Sequence, residues 1–221
     1  MSLSGRYDDN SDFDDVGTFR ATSAWTAAGT GTRLHASFGT GQKAPTFTER
    51  FGFFPDQFVG NPDLEPEEST GWEAGMEQPF WNGRLSVGAT YFREELENEI
   101  NGFAFDPDTF LFTAENLDGE SERRGVEVSA LARVTAALRF AASYTYTDSN
   151  QPDPVTGEDT REIRRPRHAA SVNADWRFLD SGRAGLNANL SYVGDQDDTF
   201  FEVTPPFGTQ TVDLEGEVGE T

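Results

Sequence analysis

Apolar and polar residues alternate with a period of two along most of this 221-residue chain. The clearest alternating segments are 70–80, 84–91, 125–134, 138–147, 167–178 and 185–192, and less regular ones occupy about 16–27 and 32–41. Successive side chains of a strand point to opposite faces of the sheet, so each segment predicts a strand with one apolar and one polar face. No segment has a convincing helical period, and we expect no helix. The pattern predicts an all-β fold.

The connections between these segments alternate in length. Short turns are predicted near 28–30, 81–83, 135–136 and 180–182, and long polar loops at about 42–68, 97–121, 149–164 and 195–209. This arrangement predicts an antiparallel up-and-down meander of about eight or nine strands. Barrels of bacterial outer membranes have short turns at the periplasmic end and longer loops at the extracellular end.

A soluble sandwich would show the same alternation, because one face of each strand must pack against a core. The positions of the aromatic residues favour a sheet that spans a membrane instead. They cluster near both strand ends, with alanine, valine and leucine between them, as in the two aromatic girdles of a spanning barrel. The residues concerned are Trp25, Phe80, Trp81, Trp176 and Phe178 near the short turns, and Phe38, Trp72, Tyr91, Tyr144, Tyr146 and Tyr192 near the long loops.

Composition excludes several other classes of function. The formal charge of -22 leaves no basic surplus for binding nucleic acid. The chain has no cysteine and two histidines, so it offers no thiolate site and no zinc site made of protein ligands alone. No spacing pairs two carboxylates, or a nucleophile with a base, so no catalytic residue and no cofactor is predicted. No apolar run approaches the about 20 residues of a spanning helix.

One ordered succession of motifs resembles the TonB-dependent outer-membrane receptors. It begins with Gly39-Thr40-Gly41-x-Lys43-Ala44-Pro45, continues with Asn61-Pro62-x-Leu64-x-Pro66-Glu67, and reaches Glu73-x-Gly75. Tyr91-Phe92, Ile100, Asn116, Gly125-Val126-Glu127 and Arg165-Pro166-x-His168 follow in the family's order. Gln42 departs from the pattern, because an apolar or aromatic residue is common there. The resemblance covers about 5–212, and its nearest branches are the cobalamin and catecholate-siderophore receptors.

The resemblance implies a 22-stranded transmembrane β-barrel filled by a plug, of which this chain would supply a segment. It implies transport of a scarce metal chelate across the outer membrane of a Gram-negative bacterium. The implied partners are the TonB-ExbB-ExbD complex, acting through a plug outside this segment, and outer-membrane lipid or lipopolysaccharide. Residues 6–212 are predicted as barrel, 1–5 as a vector-derived start and 213–221 as a tail outside the barrel. A passive porin-like barrel, or a fragment without transport activity, is the alternative.

The motif residues are interpreted chiefly as architecture. Glycines allow the strand end to bend, and Pro45 ends the pairing because it lacks an N–H group. The residues in this structural set are Gly39, Gly41, Lys43, Pro45, Asn61, Pro62, Leu64, Pro66, Glu67, Gly125, Glu127 and Pro166.

The loop at 46–59 is the candidate substrate-binding segment. It contains Phe47, Phe51, Phe53, Phe54 and Phe58, and an exposed aromatic cluster must either pack or recognise something. Two interpretations stay open: contact with an apolar or aromatic part of a metal chelate, and a self-packed core within the loop.

Two charged clusters are given ordinary interpretations. The acidic run 8–15 could hold calcium, but a solvated loop is favoured because the run lacks the glycine and distal glutamate of a calcium loop. Arg161, Arg164, Arg165 and Arg167 could contact lipopolysaccharide or an anionic chelate, but neighbouring carboxylates are the expected partners.

Overall fold

A computed structural model describes residues 1–11, 15–52, 57–106, 109–154, 156–179, 183–203 and 209–214. Phe53 and Phe54 lie outside the described residues. Antiparallel strands make up most of the structure, as the alternation predicts. The elements of the main sheet are β1 (Ser2–Asp8), β2 (Val16–Thr26), β3 (Arg33–Lys43), β4 (Glu67–Phe80), β5 (Leu85–Glu97), β8 (Glu120–Arg133), β9 (Leu138–Pro152), β10 (Asp159–Arg161), β11 (His168–Phe178) and β12 (Ala184–Val193). Two hairpins stand apart from it, β6 (Ile100–Asp106) with β7 (Leu111–Asn116), and β13 (Asp198–Val203) with β14 (Thr209–Leu214).

The main sheet is a meander in which each strand pairs with its neighbour in the order β1-β2-β3-β4-β5-β8-β9-β11-β12, and β10 pairs with the end of β9. The register places the apolar residues of adjacent strands opposite one another. One such row crosses seven strands and consists of Leu34, Met76, Ala89, Val128, Tyr144, Ala170 and Tyr192. The opposite face has the polar row His35, Gly75, Thr90, Glu127 and Thr145. We call these the lipid face and the lumen face.

The central strands are longer than a membrane requires. A tilted spanning strand needs about 9–11 residues, whereas β4 and β8 have 14 and β9 has 15. The excess lies beyond the aromatic residues on the long-loop side. On the lipid face, Trp72 is opposite Arg93, which is opposite Arg124, so charged residues follow directly after the girdle. The sheet therefore projects past the bilayer into the extracellular loops.

Two expectations were wrong in the loops. A short helix, α1 (Phe47–Phe51), lies in the first long loop, where no helix was expected. Thr46 accepts a hydrogen bond from the backbone N–H of Glu49, and the Glu49 carboxylate accepts one from the N–H of Thr46, a capping box that a T-x-x-E spacing can signal. The region 97–121, expected to be a loop, contains the β6–β7 hairpin.

The N-terminal residues form a strand at one edge of the main sheet. Residues 2–5, expected to be a vector-derived start, are part of β1 and pair with β2. Most of the tail at 213–221 lies outside the described residues. Among those residues, no helix has the length and apolarity needed to cross a membrane.

Buried side chains are concentrated at the extracellular end. Leu64, Ala104 and Ala114 are among the buried apolar residues of the described structure, and Ser121 and Ser149 are buried polar ones. In contrast, the lipid face is exposed along the strands, with Leu190 72% and Trp176 48% accessible. A soluble sheet of this size would cover that face with a second layer. The uncovered apolar face is the surface that a bilayer would solvate.

Gly125 has a packing role in the centre of the sheet. It lies between Phe92 of β5 and Thr147 of β9 on the lumen face. A Cβ atom built at this position would overlap the backbone carbonyl of Tyr146 and approach the Phe92 ring to 2.7 Å. Backbone atoms cannot move aside as a flexible side chain can, so only glycine fits between these strands.

We therefore expect Gly125→Ala to destabilise the full-length receptor by about 1–3 kcal/mol, because overpacking forces two paired strands apart. Gly185→Ala is the matched control, since a Cβ there would lie 3.7 Å from its nearest neighbour, the carbonyl of Trp176. Denaturant unfolding in detergent measures both. Equal stability of the two variants would contradict this packing role.

Candidate ligand-binding mouth

The first long loop begins and ends on a rigid strand boundary. Pairing of β3 with β4 ends at Lys43 and Glu67, whose side chains form an ion pair with Nζ and Oε1 2.8 Å apart. Pro45 and Pro66, which flank this pair, are both buried. Proline has no N–H group for the ladder, so it ends the pairing at these positions. The motif residues thus define where the membrane sheet stops and the loop starts.

Asparagine side chains hold the loop against the β6–β7 hairpin. The Asn61 amide donates to the Ala114 carbonyl over 3.0 Å, and its oxygen accepts from the Asp63 N–H, a turn that Asn-Pro-Asp favours. Asn116 accepts from the Glu65 N–H at 2.9 Å and donates to the Glu65 carbonyl at 3.0 Å. Leu64, 2% exposed, lies between these two anchors. The loop and hairpin therefore form one module.

This module lies on the lumen side of the sheet. Glu67 belongs to the lumen face of β4, and its carboxylate accepts a hydrogen bond from the Ile100 N–H at 3.0 Å. Ser121, on the lumen face of β8, donates to Glu99. The start of the hairpin is thus fixed to inward-facing residues of β4 and β8, and the module lies on the lumen side at the long-loop end of the sheet.

An exposed row of phenylalanines crosses the module. We define the phenylalanine row as Phe58, Phe103, Phe112, Phe105 and Phe110, in spatial order. Consecutive ring centroids are 6.2, 6.1, 6.0 and 6.3 Å apart, and all four contacts are edge-to-face. Phe58 joins the hairpin through a parallel bridge to Phe112, in which the Val59 N–H donates to the Phe112 carbonyl at 2.8 Å. The row is continuous across two loops that are distant in sequence.

Most of this aromatic surface remains accessible to solvent. Phe103 and Phe110 are 73% and 77% exposed, and Phe105 is 56% exposed. The buried side chains in the described part of the module are small or aliphatic, and they include Ala104, Ala114 and Leu64 together with Pro45 and Pro66. The module therefore has a core of its own, but the phenylalanines are mostly outside it. Edge-to-face contacts stabilise the row without removing it from water.

The structure places the predicted loop phenylalanines in two groups. Phe47 and Phe51 are both on α1, with ring centroids 4.9 Å apart, and are 72% and 56% exposed. Phe58 is half-buried at one end of the phenylalanine row. The other members of the row come from the hairpin and were not identified from the sequence. The patterns Phe103-Ala104-Phe105 and Phe110-Leu111-Phe112, on either side of Pro107, could have signalled them.

A partly buried arginine joins the next long loop to the same side. Arg123, on the lumen face of β8, makes a bidentate contact with Glu162, in which Nε and Nη2 each donate over 2.8 Å. Arg123 also lies 3.7 Å from Glu94 and 3.9 Å from Glu99. Glu162 accepts a second ion pair from Arg165 at 2.9 Å. We call this group the Arg123 clasp.

The clasp favours the ionised form of Glu162. Burial by itself would raise the pKa of this carboxyl, but the hydrogen bonds and positive charges of Arg123 and Arg165 outweigh it, and the net pKa is lowered. Charge-assisted bidentate pairs are the stronger kind of hydrogen bond. The clasp therefore fixes the loop at 153–165 close to Glu99, at the start of the β6–β7 hairpin.

The basic cluster contacts carboxylates, as expected. Arg161 lies 3.3 Å from Asp197, and Arg164 donates to Asp198 at 2.8 Å. With the Arg165–Glu162 pair, three of its four members are neutralised. Arg167 has no ion pair within the described part of the chain.

The acidic run is only partly described, because Asp12 and Asp14 lie outside the described residues. The Asp15 carboxylate accepts from the Asn10 N–H at 2.9 Å and from the Tyr7 hydroxyl at 2.7 Å. Those hydrogen bonds, the Asn10 one foremost, lower the pKa of Asp15. In the described ranges no group of three or more histidine and acidic residues could hold a metal ion.

The remaining motif residues shape the lumen wall. Gly39, Gly41 and Gly71 line an open depression of about 350 Å³, with Arg20 and Glu73 beside it. The Arg20 and Glu73 charges are 4.0 Å apart. Glu127 is exposed on the same face. Pro62 accepts a hydrogen bond from Arg50 at 2.8 Å through its carbonyl, and Pro166 is half-buried.

The sheet, its two unlike faces and the loop module on one end define a segment of an outer-membrane β-barrel. Residues 1–216 match the family model described as TonB dependent receptor-like, beta-barrel. The chain belongs to the TonB-dependent receptors, a family of non-enzymatic transporters in the outer membrane of Gram-negative bacteria.

Solved structures agree with this fold. The siderophore receptor PirA of Acinetobacter baumannii is 17% identical with a TM-score of 0.70, over 96% of this chain and 32% of its own. A mutant ferric enterobactin receptor of Pseudomonas aeruginosa, PfeA, solved with enterobactin, is 20% identical with a TM-score of 0.69, over 88% and 30%. The copper transporter OprC is 18% identical with a TM-score of 0.59, over 76% and 25%. The chain thus spans about a third or less of the length of these proteins.

We expect Arg123→Ala to destabilise the clasped loop by about 1.5–3 kcal/mol, because it leaves the Glu162 carboxylate buried without its main partner. Hydrogen exchange of residues 156–167 in the full-length receptor measures the change. Arg164→Ala is the control, because the exposed Arg164–Asp198 pair should contribute at most about 1 kcal/mol. Equal protection in both variants would contradict the clasp.

The Arg123–Glu162 pair also predicts that the stability of the clasped loop depends on pH. A carboxyl with a lowered pKa stabilises the folded loop above its unfolded pKa, and that stabilisation is lost as pH falls through the folded pKa. Exchange protection of residues 156–167 should therefore be constant near neutrality and decrease below the ordinary glutamate value of 4.5. Glu162→Gln should remove most of this acid-dependent step. A step of the same size in the variant would rule out Glu162 as its source.

Proposed function

We propose that this chain is part of an active transporter that imports a scarce metal chelate, of the siderophore-iron or cobalamin kind. The observation that carries the proposal is the phenylalanine row. It is an exposed aromatic surface on the module that is fixed to the lumen side of the sheet. Exposed contiguous apolar surface usually marks a binding site.

The binding surface proposed from the sequence is Phe47, Phe51, Phe53, Phe54 and Phe58. Support comes from the exposure of Phe47 and Phe51 and from the position of Phe58 at the end of the phenylalanine row. Aromatic rings offer large apolar contact area at a small loss of side-chain entropy, so they suit the organic periphery of a chelate.

The proposed partners follow from the two faces of the sheet, the lipid face and the lumen face. The lipid face, with its aromatic girdle, would contact outer-membrane lipid and lipopolysaccharide. The lumen face would surround a plug, through which the TonB-ExbB-ExbD complex would supply energy. The exposed lumen-face glutamate Glu127 is available to such an internal domain.

Uptake of a radioactive ferric chelate into cells expressing the full-length receptor tests this function. We expect accumulation in cells with the TonB complex and surface binding without accumulation in cells that lack it. Uptake that persists without TonB would instead identify a passive channel.

Removing the loop phenylalanines tests their proposed contact with the chelate. We expect Phe51→Ala and Phe58→Ala each to weaken chelate binding by about tenfold, from the loss of about 1.5 kcal/mol of apolar contact. Phe19→Leu, on the lipid face, should leave affinity unchanged. Unchanged affinity in both loop variants would contradict the contact.

A further inference from the structure

We infer that the phenylalanine row binds a neutral or positively charged metal chelate with an apolar periphery, and disfavours polyanionic chelates. This inference rests on the proposed function and adds the charge class of its substrate. It follows from the combination of an exposed aromatic surface with an acidic surrounding and few available cations.

The row presents its rings rather than burying them. Phe105 and Phe110 are 56% and 77% exposed, and no other described element covers them. The faces of aromatic rings carry partial negative charge, so they attract cations and accept neutral apolar groups. They offer no favourable electrostatic contact to an anion at the ring face.

The segments that carry the row are strongly acidic. Residues 97–120 contain seven carboxylates and no lysine or arginine: Glu97, Glu99, Asp106, Asp108, Glu115, Asp118 and Glu120. Residues 44–66 contain four carboxylates and one arginine. Glu115 is exposed on β7, and the Glu49 carboxylate lies beside Gly102, next to Phe103. A ligand on the row would therefore lie in a negative potential.

The nearby cations are already engaged. Arg123 is held by Glu162, Glu94 and Glu99, and Arg165 is held by Glu162. Arg161 and Arg164 are paired with Asp197 and Asp198. Arg167 lacks an ion pair in the described structure, but it precedes β11, two strands along the sheet from β8. An anionic chelate would have to break an existing pair to gain one of the engaged arginines.

Charge complementarity thus selects among the possible occupants. A trianionic chelate would meet the negative potential of these acidic segments, which costs free energy wherever water is partly excluded. A neutral chelate gains the apolar contact without this repulsion. A cationic chelate gains in addition from the ring faces and the surrounding carboxylates.

The test compares three ferric chelates on the purified full-length receptor: a neutral trihydroxamate, a trihydroxamate with a free ammonium group, and a trianionic tricatecholate. Quenching of intrinsic fluorescence reports binding at low and high salt. We expect the neutral and cationic chelates to bind at least about tenfold more tightly than the tricatecholate. High salt should weaken the binding of the cationic chelate and leave the binding of the neutral chelate unchanged.

Two variants locate the effect. Phe105→Ser should weaken binding of the neutral and cationic chelates by about fivefold or more, with Phe19→Leu on the lipid face as the control outside the binding surface. Glu115→Lys should shift the preference toward the tricatecholate, whereas Glu158→Lys, an equal charge change on another loop, should shift it less. Both phenylalanines are exposed, and unchanged heat-modified migration on gels verifies that each barrel is folded.

The outcomes separate the two claims. Binding of the tricatecholate as tight as that of the neutral chelate would overturn the charge class and leave metal-chelate transport standing. Unchanged affinity in Phe105→Ser would show that the row has another occupant, such as the plug or a second copy, and would overturn the site. Failure of all three chelates to bind would contradict siderophore-iron transport, the ferric form of the proposed function, as well.

Discussion

The continuous backbone hydrogen-bond ladder is the constraint on which the rest of this structure depends. Hydrocarbon offers no partner for an N–H or C=O group, so a strand that crosses a bilayer must be paired along its whole length. Nine strands of the chain follow one another in a single antiparallel path, with no crossover. Each register fixes the side-chain faces of the next strand, because a slip of one residue would exchange lipid and lumen sides. Gly125 shows how closely the paired backbones approach.

Beyond the bilayer this constraint is relaxed, because water can satisfy unpaired backbone groups there. The strands continue past the aromatic girdle, and side-chain hydrogen bonds and ion pairs hold the loops in place. Asn61 and Asn116 join the first long loop to the β6–β7 hairpin, while the Arg123 clasp adds the next loop. The buried side chains of the described residues are concentrated in this region. The mouth is thus a small folded module on a membrane wall, and its aromatic and acidic surfaces are what a ligand would meet.

The sequence predicts the wall well because its signal is repeated and local. Strict alternation over 84–91 and 138–147 leaves one choice of face, and the short turns leave one choice of neighbour. The module is less predictable because its contacts join residues far apart in sequence, such as Phe58 with Phe112. The hairpin was missed because its polar and acidic residues resemble a loop, although two alternating phenylalanine pairs flank Pro107. The short helix was missed because its five residues have no period, and its capping box was the available signal.

The central claim is that one face of this sheet contacts lipid and the other faces the barrel interior. The segment has no cysteine, so single cysteines introduced at successive positions of β8 can be labelled without background from it. Glu127→Cys, Val128→Cys, Ser129→Cys and Ala130→Cys in the full-length receptor would carry a fluorophore in lipid vesicles. A lipid-soluble quencher should quench at 128 and 130 and leave 127 and 129 largely unaffected. Equal quenching at all four positions, or quenching at 127 and 129, would contradict the spanning barrel wall.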